Sequence, residues 1–431
     1  MEAMTEAKMD APPRLDVDRL LDDPQTRIIV CCGAGGVGKT TTAAALGVRA
    51  AERGRKVVVL TIDPARRLAQ SMGIDSLDNT PRRVTGVSGN GNDGALHAMM
   101  LDMKRTFDEI VEGHSDPERA EAILANPFYQ SLSAGFAGTQ EYMAMEKLGQ
   151  LRARDDWDLI VVDTPPSRSA LDFLDAPGRL GSFLDGKFIR VLMAPAKVGG
   201  RAGMKFLNVG MSMMTGTLSK LMGASLLKDV QTFVAAMDTM FGGFRTRADA
   251  TFQLLQAPGT AFLVVSAPEP DALREAAYFV ERLAAERMPL AGLVLNRVHG
   301  SGAEQLSAER ALAAAENLEE GRIVDQESGK AGLRDSTASE SDPDPDSDPD
   351  TRTERETGAD ADVDVITAGL LRLHAERMQV IAREQRTRDR FTSLHPEVAV
   401  AEVAALPGDV HDLAGLRAIG ERLAAGVPAG A

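Results

Sequence analysis

Residues 27–53 constrain the fold more than any other part of this 431-residue chain. Arg27-Ile28-Ile29-Val30-Cys31-Cys32 is a short apolar run of the kind a buried strand requires, and Thr40 to Arg53, rich in alanine, reads as a helix. Between them Gly33, Ala34, Gly35, Gly36, Val37, Gly38, Lys39, Thr40 and Thr41 form the loop, and Gly33, Gly38, Lys39 and Thr40 satisfy the spacing G-x-x-x-x-G-K-[ST]. The chemistry needs each residue type. Glycines let backbone N–H groups close around phosphate oxygens, the lysine meets the outer phosphates as a point charge, and the threonine hydroxyl reaches Mg²⁺. A helix N-terminus facing the loop adds the favourable end of its dipole. The strand–loop–helix setting predicts a chain that binds a nucleotide with Mg²⁺.

Elsewhere, short apolar runs alternate with longer helical patterns, the signature of a parallel sheet covered by helices on both faces. The runs predict strands at 27–32, Lys56–Ile62, Leu96–Leu101, Leu159–Val162, Ala261–Ser266, Ala291–Asn296 and Val398–Val403. Several are continuously apolar, as a strand buried on both faces must be. The fold class is therefore α/β, a P-loop NTPase domain over 25–425, preceded by a loose polar arm over 1–24 and followed by a tail at 426–431. With aromatics only 4% of the residues, the core rests on Ala, Val, Leu and Met.

Two insertions interrupt the alternation. The stretch 195–256 carries Met204, Met211, Met213, Met214, Met222, Met237 and Met240 among several glycines. Methionine suits a surface that accepts varied apolar partners, so this helical stretch is either a client-binding surface or a lid packed on its own core. The other insertion, 325–362, contains Ser341-Asp-Pro-Asp-Pro-Asp-Ser-Asp-Pro-Asp350 between helical patterns at Ala303–Glu320 and Val363–Arg390. Dense like charge with little apolar content predicts disorder there, in a loop grown between paired helices. Residues 335–362 hold 11 acidic and 2 basic side chains, a balance of −9 out of the chain's −15, which leaves −6 for the rest. The body is only mildly acidic and offers no general nucleic-acid surface. No run of 18 apolar residues occurs and the acidic N-terminus lacks the pattern of a signal peptide, so a cytoplasmic protein without an integral membrane segment is expected. The only two cysteines, Cys31 and Cys32, are neighbours, which supports neither a disulfide framework nor a thiolate metal site.

Two aspartates complete the candidate machinery. Lys56–Ile62 delivers Asp63-Pro64-Ala65 at its C-terminal end, and Asp158-Leu-Ile-Val-Val162 delivers Asp163-Thr164-Pro165-Pro166. Ligands of open parallel sheets sit outside the carboxyl ends of the strands, so both carboxylates should face the phosphates. There an acidic residue supports the metal or orients water for in-line attack. The plainer alternative for each is a helix cap, since Asp before Pro often opens a helix.

Taken together, Gly35-Gly36-Val37-Gly38-Lys39-Thr40-Thr41, Thr61-Ile62-Asp63-Pro64-Ala65, Asp163-Thr164-Pro165-Pro166-Ser167, Leu171-Asp172-Phe173-Leu174 and Asn296-Arg297 resemble the arsenite-pump and tail-anchored-protein-targeting ATPases over nearly the whole chain. The resemblance implies that the nucleotide is ATP, that Lys39 and Asp63 are catalytic, Asp63 positioning the attacking water, and that Thr40, Asp63 and Asp163 serve the metal. It implies that Asn296 reads adenine and that the Leu406-Pro407-Gly408-Asp409 loop, through Pro407, lies over the base. It implies too a dimer that opens and closes around a hydrophobic or membrane-protein client. The chain departs from the family at Ala34, where the family has a lysine that crosses the dimer interface, and at Ser167-Arg168-Ser169-Ala170, where it has Thr-Gly-His-Thr. Those departures leave open a heterodimer with a homologous ATPase subunit, or a nucleotide-binding regulatory subunit with little hydrolysis of its own. A partition or positioning ATPase is the third reading, disfavoured by a C-terminus short of basic residues.

Overall fold

A computed structural model describes residues 13–62, 67–88, 94–133, 139–165, 246–331 and 350–425. Its centre is an eight-stranded sheet in the order β3-β4-β2-β5-β1-β6-β7-β8. The strands are β1 (Ile28–Cys32), β2 (Lys56–Thr61), β3 (Arg82–Arg83), β4 (Ala95–Met100), β5 (Leu159–Asp163), β6 (Thr260–Ser266), β7 (Leu290–Val298) and β8 (Val400–Ala404). All neighbouring strands run parallel except β3, which pairs antiparallel with β4 at one edge. Seven of the eight match an apolar run visible in the sequence. The two-residue β3 is too short and too charged to leave one.

The period of two sorts each strand between two apolar layers. Ile28, Val30 and Cys32 of β1 and Val58 and Leu60 of β2 face one layer. Ile29 and Cys31 of β1 and Val57 and Val59 of β2 face the other. On the second side lies α2 (Lys39–Glu52), whose Ala43, Ala44, Ala45, Ala50 and Ala51 are all buried. Small side chains let this helix sit close to the sheet. A Cβ added at Gly47 would come within 2.5 Å of a Val59 methyl and 3.2 Å of a Leu96 methyl. Helix α11 (Leu413–Ala425) then covers α2 from outside.

The arm expected over 1–24 is shorter than the sequence suggested. Leu15 donates its N–H to Val400 O at 3.0 Å, and α1 (Val17–Asp22) buries Val17 and Leu21, one turn apart, against the second layer. Asp16 caps this helix by accepting from Arg19 N at 3.0 Å. Asp18 accepts two bonds from Arg49, at 2.6 and 2.7 Å, and Asp22 pairs with Arg53. The Arg49 guanidinium holds the Asp18 carboxyl below its ordinary range. Acidic residues that made the arm look solvated are spent on the basic end of α2.

The acidic insertion is also narrower than expected. Helix α9 (Ala308–Ala331) and helix α10 (Asp350–Leu394) run into it from both sides, leaving 332–349 outside the described residues. The remaining described helices are α3 (Arg67–Ser71), α4 (Met103–His114), α5 (Pro117–Leu124), α6 (Pro127–Ser133), α7 (Thr139–Ala153) and α8 (Pro270–Ala285), with a further helical stretch at 246–256. The methionines of the first insertion, and the segment 166–170, lie outside the described residues. Among the described residues no helix is long and apolar enough to cross a membrane.

Close approach of α2 to the sheet reverses the usual sign of a glycine replacement. In a helix interior Gly→Ala normally gains about 0.5–1 kcal/mol. At Gly47 the added methyl overlaps Val59, and overpacking costs about 1–3 kcal/mol. Gly47→Ala is therefore expected to melt a few degrees below wild type in thermal denaturation followed by circular dichroism. A higher melting temperature would show that α2 does not sit this close.

Candidate nucleotide site

The glycine loop leaves the C-terminal end of β1, the fifth strand of the sheet order, and opens α2. Its conformation depends on glycine at both ends. Gly33 has φ of 147° and Gly38 has φ of 96°, backbone states that L side chains rarely adopt. Space forbids a side chain as well. A Cβ on Gly33 would overlap the carbonyl of Val265 on β6, and one on Gly38 would overlap the Asn296 amide. Between them Gly35 and Gly36 are exposed, whereas Ala34 and Val37 are buried in the second apolar layer. Lys39 is buried at the first turn of α2, and its Nζ donates to Ala34 O at 2.8 Å. The ammonium is thus folded back over the loop's own backbone, at the place where outer phosphates approach in this motif.

Asp163 is placed by sheet register. It pairs with Cys31 on β1 and with Thr61 on β2, and it is fully buried. Its Oδ2 accepts from Thr40 Oγ1 at 2.7 Å and from Thr61 Oγ1 at 2.9 Å. Thr164, next in the chain, donates its hydroxyl to Cys31 O at 2.9 Å and fixes the turn out of β5. The two threonine hydroxyls and the carboxylate are hard oxygen groups of the type Mg²⁺ takes. Donating its hydrogen to Asp163 leaves the Thr40 oxygen with lone pairs to offer a cation beside the phosphates. The donor set fits magnesium: Thr40 would be its direct protein ligand and Asp163 would orient that hydroxyl.

Asn296 stands on the opposite side of the loop. A register shift in the β7–β8 ladder falls between Asn296 and Val298, and Arg297 within it has φ of 62°. Such a bulge re-aims side chains. Here it turns the buried Asn296 amide onto the glycine loop, where Nδ2 donates to Val37 O at 2.8 Å. Oδ1 accepts from Arg297 N at 3.0 Å, so both ends of the amide are fixed by backbone partners. In this structure Asn296 braces the phosphate loop. The sequence implied only contact with a base.

Thr41 is half-buried on α2. Pro407, Gly408 and Asp409 are exposed in the connection from β8 to α11, at the same end of the sheet as the loop. Asp63 lies outside the described residues, although Ile62, before it, is tied to Asp163 O by its N–H at 3.0 Å. Burial pushes the Cys32 thiol up to about 12 and Cys31 well above its ordinary value, against the pull of the Lys39 ammonium. Neither can supply a thiolate near neutral pH. Sequence reasoning missed Thr61 and the Val265 carbonyl. Thr61 had a signal, being a hydroxyl at the C-terminal end of the strand that leads into Asp63. Val265 had none, because only the fold brings its backbone under Gly33.

A brace and a base reader respond differently to truncation. Asn296→Ala leaves the Val37 carbonyl without this donor, which costs about 1–3 kcal/mol when the group stays buried. The nucleotide-free variant is expected to melt several degrees lower and to bind a fluorescent ATP analogue more weakly. Weaker binding with an unchanged nucleotide-free melt would assign the side chain to the base alone.

The sequence pattern of the anion-transporting ATPases matches residues 26–323. The ATPase GET3 of Malassezia globosa is 32% identical over 169 residues, 39% of this chain and 47% of that protein. The ATPase GET3 of Podospora anserina is 26% identical over 300 residues, 68% of this chain and 80% of that protein. The ATPase ASNA1 homolog of Entamoeba dispar is 27% identical over 183 residues, 41% of this chain and 54% of that protein. The matched regions thus span about half the length of the first and third relatives and four-fifths of the second.

Proposed function

Because the chain belongs to the anion-transporting ATPase family, we propose that it is a cytoplasmic Mg²⁺-dependent ATPase that works as a dimer, opening and closing around a hydrophobic or membrane-protein client as nucleotide turns over. The observation that carries this reading is the pair of hydroxyls, Thr40 and Thr61, held on the one buried carboxylate of Asp163. It joins the phosphate loop to the strand that leads directly into Asp63. Lys39 and the loop N–H groups bind the β- and γ-phosphates, and Mg²⁺ supplies charge neutralisation between them when bound. Thr40 and Asp163 hold and orient that cation, and Asp63 positions the attacking water. Asn296 and Pro407 border the adenine side. The methionine-rich stretch 195–256 is the candidate client surface, with a packed lid as its alternative.

Ala34 supports a second feature of the reading, pairing with a related subunit. Its methyl is buried in the apolar layer beneath the loop and carries no charge to a neighbour's phosphate. Cations supplied in trans to a transferring phosphoryl group are worth about 10³-fold or more in rate. A homodimer lacks that cation at both sites, whereas a paralogue that keeps the lysine restores it at the site this chain provides. Arg168 is the internal competitor for the role.

Turnover measured for the chain alone, and mixed with a lysine-bearing paralogue, tests both parts. The chain alone is expected to bind ATP and hydrolyse it slowly, with turnover rising at least tenfold in the mixture, about 1.4 kcal/mol of barrier. Lys39→Ala should remove nucleotide binding, and Asp63→Asn should keep binding while slowing turnover at least about tenfold. Equal rates for Asp63→Asn and wild type would remove the role given to Asp63. Robust activity of the chain alone, lost on Arg168→Ala, would give the charge to the internal arginine and end the case for a heterodimer.

A further inference from the structure

Between α8 and α10 lies a groove of about 810 Å³ whose walls are rich in arginine. Leu273 of α8 and Phe391 of α10 are buried beneath it and belong to the core. Above them Val380, Arg383, Thr387, Arg390 and Leu394 follow one another along α10 at steps of three and four residues, so they form one stripe on the groove side. Val380 and Leu394 close its two ends, 37% and 67% exposed. This is the seven-residue repeat of a helix that lies against another helix, with arginine at the second inward position of each repeat.

The arginines of the groove are not used inside the described molecule. Arg372 and Arg388, on other faces of α10, pair with Glu319 at 2.6 Å and with Glu402 at 2.8 Å. Among the described residues Arg383, Arg386 and Arg390 have no carboxylate partner, and Arg383 Nε reaches only Gln379 O of its own helix, at 3.3 Å. Arg274, on the α8 wall, meets only Asp271, in an exposed pair on that helix at 3.1 Å. Two acidic residues also line the groove. Glu384 is turned to His299, whose N–H donates to it at 3.0 Å, which leaves Glu269 alone against four guanidinium groups. In a chain of formal net charge −15 this is a local inversion of sign. Exposed guanidinium forks match carboxylates in shape as well as in charge. The heptad stripe suits a helix laid beside α10, and the arginines within it require that helix to be acidic.

We propose that the groove receives an acidic amphipathic helix of a partner protein, laid along α10. Apolar side chains of that helix cover Val380 and Leu394. Between them, carboxylates one heptad apart, about 10 Å along a helix, meet Arg383 and Arg390. The contact uses none of the residues given to the nucleotide, so it stands whether or not the chain hydrolyses ATP.

Fluorescence anisotropy on the nucleotide-free full-length protein tests this. The probe is a labelled synthetic helical peptide of about three heptads, with leucine at the a positions and glutamate at the d positions. It is expected to bind, and more weakly as salt rises, because exposed charge pairs are screened. The same peptide with lysine for glutamate should not bind. Arg383→Glu combined with Arg390→Glu should weaken the glutamate peptide at least about tenfold and admit the lysine peptide instead. Circular dichroism should not change, because both arginines are exposed. Leu394→Ser alone should weaken binding severalfold. A wild-type protein that does not bind the peptide, or binding indifferent to the two glutamates, would overturn the proposal. So would equal binding of unstructured polyglutamate, or displacement of the peptide by a single-stranded DNA oligonucleotide that binds more tightly. Deletion of 336–349 that raised affinity for the peptide at least about tenfold would give the groove to the chain's own acidic stretch and overturn it as well.

Discussion

A single buried carboxylate sets the geometry on which the nucleotide site depends. Asp163 ends the strand between β1 and β2, and a buried charge is tolerated only when hydrogen-bonded. Its donors come from two other elements, Thr40 at the first turn of α2 and Thr61 at the end of β2. Moving any of the three elements would break a charge-assisted bond in a water-poor interior, where such bonds are stronger than in water. The small residues of α2 follow from this. The helix must place Thr40 in its first turn, beside the carboxylate, and still lie close on β2 and β4, which its run of alanines and Gly47 allow.

Most of the fold was legible because each signal was local. A strand buried on both faces must be apolar along its length, so β1, β2, β5, β6 and β7 announced themselves. The glycine loop was equally plain, since its spacing serves a ligand. What escaped notice depends on contacts distant in sequence. Acidic α1 reads as a solvated arm until Arg49 and Arg53 of α2 are seen to face it. The ends of α9 and α10 read as loop because charge density says nothing of a helix continued from a well-packed neighbour. Asn296 was found, but its bond to Val37 O was not, because that depends on the bulge at Arg297. A backbone φ of 62° at a bulky residue has no signature in the residue itself.

The two halves of the chain meet at that bulge. Beyond β7, His299 donates its N–H to Glu384 of α10 at 3.0 Å, with its ring Nδ1 at 2.6 Å from the same carboxylate. Arg377 holds Gly300 O, and His374 Nε2 lies 2.7 Å from Leu306 O. Three side chains of α10 therefore grip the segment that follows Asn296, while Asn296 itself grips the glycine loop. A displacement of α10 along its axis would load residues 299–306 and the bulge, and also β8, which Arg388 of α10 reaches through Glu402 at 2.8 Å. Coupling through such a contiguous set of contacts requires an element with two arrangements. A bulged strand end, whose conformation rests on side-chain bonds more than on the ladder, is the element best suited to have them. Asn296 thus links the segment gripped by α10 to the phosphate loop at Val37, beside the direct tie of α10 to β8 through Arg388 and Glu402.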